Sequence, residues 1–435
     1  MLTVPLTDLP ADFRARALQW AAGFVHCAYF EPNDLQQSAA GTFSRLLAVA
    51  SAAPGAPATL AALPAYLSGA PYQPPRCGFV TYDSKNEIEA LSSTNFSGFA
   101  WPALHFFLPE TCLYWHRDTL EIQGTKTNVL AAILATEIPA PPPPTVPPLR
   151  PRMPRADYLQ AVASVRKDIL NGEVYELNLC QEFYAEGVTL DPVATFWRLN
   201  EASPAPYAGF LRYHDHYLLC ASPELFLEYY YPVIVSQPIK GTRRRGATPA
   251  EDEAQRLALL HDEKERAENL MIVDLVRNDL ARIALPGTVE VPELFGTYGF
   301  KHVWQLISTV AADLRPDVNL ADILRATFPM GSMTGAPKIR AMELIEQYEA
   351  SRRGLYSGSF GFVWPEPGGE FEFNVVIRSI QYRADTGYLS LQVGSAITYD
   401  SVPEHEYAEC LLKAQGMLKA LSTIISEHDV LLIAH

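Results

Sequence analysis

Lys240 is the sole charge in the segment Ser236-Gln-Pro-Ile-Lys-Gly-Thr242, which runs into Arg243-Arg244-Arg245-Gly246. The turn-prone Gly241-Thr242 pair separates the apolar run Tyr231 to Val235 from an acidic helical stretch beginning near Glu251. An amine in such a segment is a candidate nucleophile. It attacks only when neutral, so its pKa must fall from about 10.4 towards about 7–8 through burial or nearby cations, a task for which Arg243 to Arg245 are available. Glu224, in Ser222-Pro-Glu-Leu-Phe226, is a candidate general acid and needs the opposite push, up to about 6–7. Each could equally be half of a structural ion pair, the usual fate of a buried lysine.

Two acidic motifs share one spacing. Glu265 and Glu268 form ExxE inside KERAENLMIVDLVRND, and Glu406 and Glu409 repeat it inside EHEYAECLLKA. On a helix, positions i and i+3 share a face with β-carbons about 5–6 Å apart. Most such pairs are solvated, but here an apolar run follows each second glutamate and places Glu268 and Glu409 towards the buried side. Two carboxylates converging from two helices, with water and substrate oxygens completing the shell, suit Mg²⁺. Lys413, four residues after Glu409, falls on the same face. The loop Pro329-Met-Gly-Ser-Met-Thr-Gly-Ala-Pro-Lys338 can aim backbone N–H groups at an anion, although a plain tight turn accounts for it as well, and it is not a Walker loop. Arg378 is a lone arginine in the apolar run Phe373-Asn-Val-Val-Ile-Arg-Ser-Ile380, where either a buried glutamate or a ligand carboxylate must satisfy it.

The elements that position these groups follow from periodicity and turn chemistry. Before residue 139 the pattern predicts a helix over Phe13 to Phe24, an Ala-rich helix-like segment over Ser38 to Ala53, and strands at Phe79 to Tyr82, Phe99 to Leu108 and Leu113 to His116. The prolines of residues 139–154 exclude a helix or interior strand and predict a stiff extended connector between a first region, 1–138, and a second, 155–426. There the pattern predicts a helix over Ala156 to Asn171 and strands at Glu173 to Glu182, Gly209 to Cys220, Leu225 to Tyr230 and Val233 to Gln237. A long helical stretch follows over Ala250 to Ile283, broken near His261. Helices at Leu320 to Phe328 and Ile339 to Arg352 flank the Gly-rich loop. Strands at Phe360 to Trp364, Phe371 to Tyr382 and Leu389 to Val393, with hairpin signals at Glu366-Pro-Gly-Gly and Ala384-Asp-Thr-Gly, precede a closing helix over His405 to Ser426. Clustered strands joined by hairpins favour an α+β class: a mixed, mainly antiparallel β-sandwich with flanking helices, the first region packed into the same sandwich.

Composition bounds the partners. A formal charge of −15 over 435 residues argues against nucleic-acid and anionic-membrane surfaces, so an anionic ligand must meet local positive charge or a metal. Six scattered cysteines without a CxxC suggest neither a zinc site nor a disulfide framework and fit a reducing cytoplasm. No apolar run reaches about 18 residues and the N-terminus lacks a signal pattern, so the expectation is a soluble cytoplasmic protein.

In addition to these residues, the ordered segments GEVYELNLC, SPELF, PIKGTRRRG, ERAENLMIVDLVRNDL, FPMGSMTGAPKIRAME, GLYSGSFGF, VVIRSI, VGSAITYDS and EYAECLLKA resemble the chorismate-utilising enzymes, the family of anthranilate, isochorismate, salicylate and aminodeoxychorismate synthases. The similarity runs from about Arg155 to Ser426. CGFVTYD at Cys77 to Asp83 resembles the family's amino-terminal part. Within the family, anthranilate synthases carry alanine where this chain has Lys240, and the large subunits that make aminodeoxychorismate carry lysine; Ser332 agrees, since anthranilate synthases commonly have threonine there. The resemblance implies that Glu268 and Glu409 hold Mg²⁺ against a chorismate carboxylate, supported by Glu265 and Glu406. It further implies that Arg378, Lys413 and the backbone of Gly394, Ser395 and Ala396 bind carboxylates, and that Gly241, Thr242, Ser332 and His302 line the pocket.

The implied chemistry replaces the C4 hydroxyl of chorismate by ammonia with retained stereochemistry, in two successive allylic displacements, with Lys240 first adding at C2 and Glu224 protonating the departing hydroxyl. No cysteine lies in a Gly-x-Cys-x-Gly elbow, so ammonia is expected from a separate glutaminase subunit. In GEVYELNLC, Glu176 stands where many relatives have glutamine. The regulatory serine motif through which anthranilate synthases bind tryptophan has no clear match.

Overall fold

The computed structural model describes residues 1–35, 41–68, 73–140, 144–365 and 369–426. Among them the strands form two antiparallel sheets, one of twelve strands and one of nine. Their apolar inner faces pack together: Phe30 of the larger sheet stacks on Phe360 of the smaller with ring centroids 4.5 Å apart. Helices cover the outer faces. Arg155–Leu170, Pro192–Ala202, Lys338–Tyr348 and Pro403–Leu421 bury apolar stripes on the larger sheet, and Glu263–Ala281 with Leu320–Thr327 does so on the smaller. This is the predicted sandwich class.

Segments from both sides of the proline-rich stretch are adjacent in both sheets. His26–Glu31 pairs with Tyr207–Tyr213 in the larger, and Arg76–Val80 with Ser359–Val363 in the smaller. Within the stretch itself, Arg150–Pro151 adds two residues to the strand Glu176–Ala185. Among the described residues no helix is long and apolar enough to cross a membrane. All six cysteines are free and buried.

Several expectations require correction. The Ala-rich segment predicted as helix-like contains the strand Leu46–Ala50, fully buried between two strands, because β-sheet packing overrides alanine's helical preference; residues 38–40 lie outside the described set. Gly209 to Cys220 is two strands of a hairpin, Tyr207–Tyr213 and His216–Ser222, reversing at His214 (φ 54°) and Asp215. Phe371 to Tyr382 also divides: Phe371–Val375 belongs to the smaller sheet and Ser379–Arg383 to the larger. The chain crosses between sheets at Val376 to Arg378, and Arg378 itself has φ 50°. Of the Glu366-Pro-Gly-Gly signal, residues 366–368 lie outside the described set. The long hairpin Glu290–Gly299 with Val303–Asp313 was not foreseen, and it supplies the partner strand for Ile239–Arg244. The break near His261 is real, with helices Pro249–Leu260 and Glu263–Ala281 on either side.

Candidate active site

Three sequence segments meet at Glu224. Glu224, Pro238 and Ser332 border one cavity, which brings SPELF beside the Gly-Ser-Met-Thr-Gly loop and the strand that carries Lys240. Glu224 is 4% exposed. Burial pushes its pKa up to about 7, against the opposing pull of Ser332, Lys240, Ile239 and Lys413. That is the range in which a carboxylic acid can donate a proton near neutrality.

Lys240 is aimed inward by an irregularity in its strand. The register of Ile239–Arg244 against Val303–Asp313 shifts between Ile239 and Thr242, and Gly241 there adopts φ 93°. Such a bulge re-aims a side chain, and only glycine takes that conformation without strain. A β-carbon on Gly241 would also meet Glu265 Oε2 at 3.1 Å. Lys240 is thereby buried, while Thr242 is turned to solvent. Lys240 Nζ donates to Glu176 Oε1 at 2.5 Å. Burial by itself would lower the lysine pKa, but the charges of Glu176, Glu268 and Glu224 more than offset it and hold the pKa above the ordinary value. The free protein therefore carries Lys240 as an ammonium, opposite to the lowered value a resting nucleophile would need. The arginines expected to assist are engaged elsewhere: Arg243 pairs with Asp262 (2.9 Å) and Arg245 with Asp252. Asp262 in turn caps the helix Glu263–Ala281 by accepting from the Lys264 and Glu265 N–H groups, so Arg243 anchors the element that presents the first acid pair.

The two ExxE pairs lie within electrostatic reach of each other, Glu409 acting on Glu265. Burial raises the Glu265 pKa, with the negative charges of Asp262 and Glu409 adding to it, and burial raises Glu268 to about 7, with Glu176 and Glu265 adding against Lys240 and Lys264. Lys264 Nζ stands 3.7 Å from Glu268. On the helix Pro403–Leu421 the expected order of burial is reversed. Glu406 is 5% exposed, whereas the Glu409 side chain is 47% exposed and stands at the rim. Burial would raise Glu409, but Lys413 at 2.6 Å, helped by Lys240 and Lys264, keeps it below the usual carboxylate range. Lys413 also donates to the Gly394 carbonyl at 2.7 Å. Around this space Glu176, Glu224, Glu265, Glu268, Glu406 and Glu409 outnumber Lys240, Lys264, Lys413 and Arg378, and the raised pKa values of Glu265 and Glu268 are what an added cation would relieve. No three acidic side chains among the described residues form a closed cage. The four ExxE carboxylates are oxygen donors of the type Mg²⁺ takes, an ion that needs few protein ligands and would keep the rest of its shell for water and ligand oxygens.

Arg378 lies within electrostatic reach of Glu409. No hydrogen bond or ion pair of its guanidinium exists among the described residues; burial lowers its pKa, with Tyr356 and Glu409 opposing from a distance. The strand Tyr388–Ile397 is paired on both sides as far as Leu391, but beyond it Gly394 to Ala396 have a strand partner on one side only, because the chain at Arg378 has left the ladder. Ser395 is fully buried and its Oγ lies 3.2 Å from the Tyr158 hydroxyl. An arginine without a partner among the described residues, close to one-sided backbone, can in chemical terms receive a carboxylate. His302 stands apart: it is exposed on a hairpin turn, with Nε2 3.2 Å from the Ala202 carbonyl.

A family profile described as chorismate binding enzyme matches residues 24–419. The chain belongs to that family. Among curated relatives, aminodeoxychorismate synthase component 1 of Bacillus subtilis is 35% identical over 370 residues, 81% of this chain and 77% of its own length. The corresponding component of Salmonella typhimurium is 42% identical over 271 residues, 62% of this chain and 58% of its own. Among solved structures, anthranilate synthase component I of Streptococcus pneumoniae superposes with TM-score 0.73 at 27% identity, covering 90% of each chain.

The chorismate-binding chain also uses residues that sequence reasoning did not select. Glu176 was noted only as a departure from glutamine, yet it is the direct partner of Lys240. Arg353, 2% exposed, pairs with Glu349 at 2.6 Å and donates to the Met333 and Asn178 carbonyls, fastening the Gly-Ser-Met-Thr-Gly loop to the strand that carries Glu176. The only signal for it was a charged residue next to an apolar, glycine-rich stretch.

Proposed function

We propose that this enzyme aminates chorismate at C4 to 4-amino-4-deoxychorismate, with ammonia delivered by a glutaminase partner and with Lys240 adding covalently at C2. The observation that carries the reading is the placement of a buried lysine and a carboxylic acid with pKa near 7 in one site, Lys240 and Glu224, each within the other's electrostatic reach. An alanine at position 240, as anthranilate synthases have, leaves no such nucleophile. Arg378, Lys413 and the one-sided backbone of Gly394 to Ala396 receive the substrate carboxylates, while Ser332 orients Glu224. Gly241 completes the lining in this reading, whereas Thr242, turned to solvent, and His302, exposed on its hairpin turn, lie outside it. Glu268 and Glu409, with Glu265 and Glu406 in support, would hold Mg²⁺, which would supply positive charge against a carboxylate of the dianionic substrate. Glu224 gives its proton to the C4 hydroxyl, which departs as water.

The names carried by the two relatives support the reading, and the anthranilate synthase likeness supplies the competitor. Product analysis with chorismate, Mg²⁺ and ammonium separates them: 4-amino-4-deoxychorismate is expected, and anthranilate or isochorismate in its place refutes the proposal. Omitting ammonium while adding glutamine should give no product from this chain alone.

A further inference from the structure

Lys240 as it stands cannot attack carbon. Its pKa is held above that of a free lysine, and the ammonium has no lone pair to offer. A nearby group has to take one proton before C2 can be attacked. Glu268 and Glu265 face the amine from the helix Glu263–Ala281, Glu409 from Pro403–Leu421, and Glu224 from the adjoining strand end. Glu224 must arrive protonated to serve the leaving hydroxyl. The four ExxE carboxylates belong to the cation in the reading above, and none forms an ion pair with Nζ within 4 Å among the described residues.

Glu176 differs from all of them. It is 1% exposed, its Oε1 is 2.5 Å from Nζ, and its second oxygen, Oε2, is buried without a hydrogen-bond partner among the described residues. Its position is fixed from two sides. Glu176 pairs in register with Ala336 at the end of the Gly-Ser-Met-Thr-Gly loop, and Arg353 ties that loop to the same strand at Asn178.

We infer that Glu176 is the catalytic base that takes the proton from Lys240 as the amine attacks C2 of chorismate. The inference rests on the covalent role proposed for Lys240. The proton passes from Nζ to the Glu176 carboxylate and leaves a neutral amine. The nitrogen lone pair forms the N–C2 bond, C1=C2 shifts to C1=C6, C5=C6 shifts to C4=C5, and the C4–O bond breaks with the Glu224 proton going to oxygen to give water. Ammonia then bonds to C4, the double bonds return, and the C2–N bond breaks to release neutral Lys240. Glu176 hands its proton back to that amine, and the new C4 ammonium re-protonates Glu224. Chorismate plus ammonia gives aminodeoxychorismate plus water, with every group restored.

The test follows adduct formation on Lys240 in the absence of ammonia, by quenched-flow intact-mass measurement between pH 6 and 9, with chorismate binding measured in parallel by calorimetry. Glu176→Gln keeps the shape and a hydrogen bond but cannot accept the proton. It should bind chorismate within about threefold of the parent, form the adduct about 10²–10⁴-fold more slowly at pH 7, and regain rate about tenfold per pH unit as solvent takes over the deprotonation. Glu176→Asp, which retains a carboxyl, should be slower than the parent but keep its pH dependence. An unchanged rate in Glu176→Gln, a loss that is uniform at every pH, or a tenfold-per-unit rise in Glu176→Asp would each overturn the inference. Absence of an adduct in the parent itself defeats the covalent reading instead, so the two failures are distinguishable.

Discussion

Replacing Arg378 by methionine should move stability and substrate affinity in opposite directions. In the free protein the guanidinium is partly buried without a partner among the described residues, so the charge is a liability; methionine keeps the apolar stem and removes it, and should add about 1 kcal/mol to stability. The backbone does not discriminate, since φ 50° is equally unfavourable for either side chain. With chorismate bound, the parent gains a charge-assisted hydrogen bond worth about 1.5–3 kcal/mol, so the variant should bind about ten- to a hundredfold more weakly. At a ligand concentration about 100 times the parent's Kd, the parent gains about 2.7 kcal/mol, and a variant about thirtyfold weaker gains about 0.9 kcal/mol. The order of melting therefore reverses: the variant melts higher without chorismate and lower with it. Thermal unfolding with and without chorismate and Mg²⁺ reads both effects. Equal ligand-induced stabilisation in the two proteins, or a variant that melts lower in both states, refutes the assignment of Arg378 to a substrate carboxylate.

Four further outcomes are expected. Glu409→Gln should weaken Mg²⁺ at least about tenfold in a titration of turnover, and an unchanged metal dependence counts against Glu409 as a ligand. Gly241→Val should cost about 1–3 kcal/mol and displace Glu265, from which the glycine is separated by only a β-carbon's reach; a variant with parental melting and turnover would show that the bulge does not position Lys240. Glu228, buried near Glu372, has its pKa raised by burial and by that neighbour to about 8 from an ordinary 4.5, so its contribution to stability is fully present below about pH 4.5 and is lost as pH rises through about 8. Glu228→Gln should then gain on the parent across that window, by on the order of a few kcal/mol, in melts at graded pH; a pH-independent difference refutes it. Because Glu224 must hold a proton to act, turnover should decline as pH rises through about 7, and Glu224→Gln should lose about 10²–10⁴ in kcat while retaining chorismate binding; turnover of the variant at the parental rate would refute the acid role.

The sandwich class was legible because hairpin signals and period-two runs report local pairing, and the acid motifs were legible because helical spacing fixes which side chains share a face. What was not legible depended on distant partners. Leu46–Ala50 is a strand since two neighbouring strands bury it, and nothing in five small apolar residues says so. The division of Phe371 to Tyr382 between sheets turns on Arg378, whose positive φ no periodicity announces. The same applies to the site. The need for a shifted glutamate was readable from chemistry, and the structure places Glu224 at about 7. The direction for Lys240 was not, because it is set by Glu176, 64 residues away in sequence. Likewise the arginines after Lys240 looked like its electrostatic helpers, but alternation along an edge strand sends them outward to Asp262 and Asp252.

The covalent role of Lys240 is tested most directly by intact-mass analysis of the protein mixed with chorismate and Mg²⁺ without ammonia, with the modified peptide then located. A mass increase of chorismate less water, confined to the peptide containing Lys240, absent in Lys240→Ala and discharged by ammonium as aminodeoxychorismate forms, is the predicted result. Aminodeoxychorismate formed at the parental rate by Lys240→Ala, with no adduct detected in the parent, would contradict it.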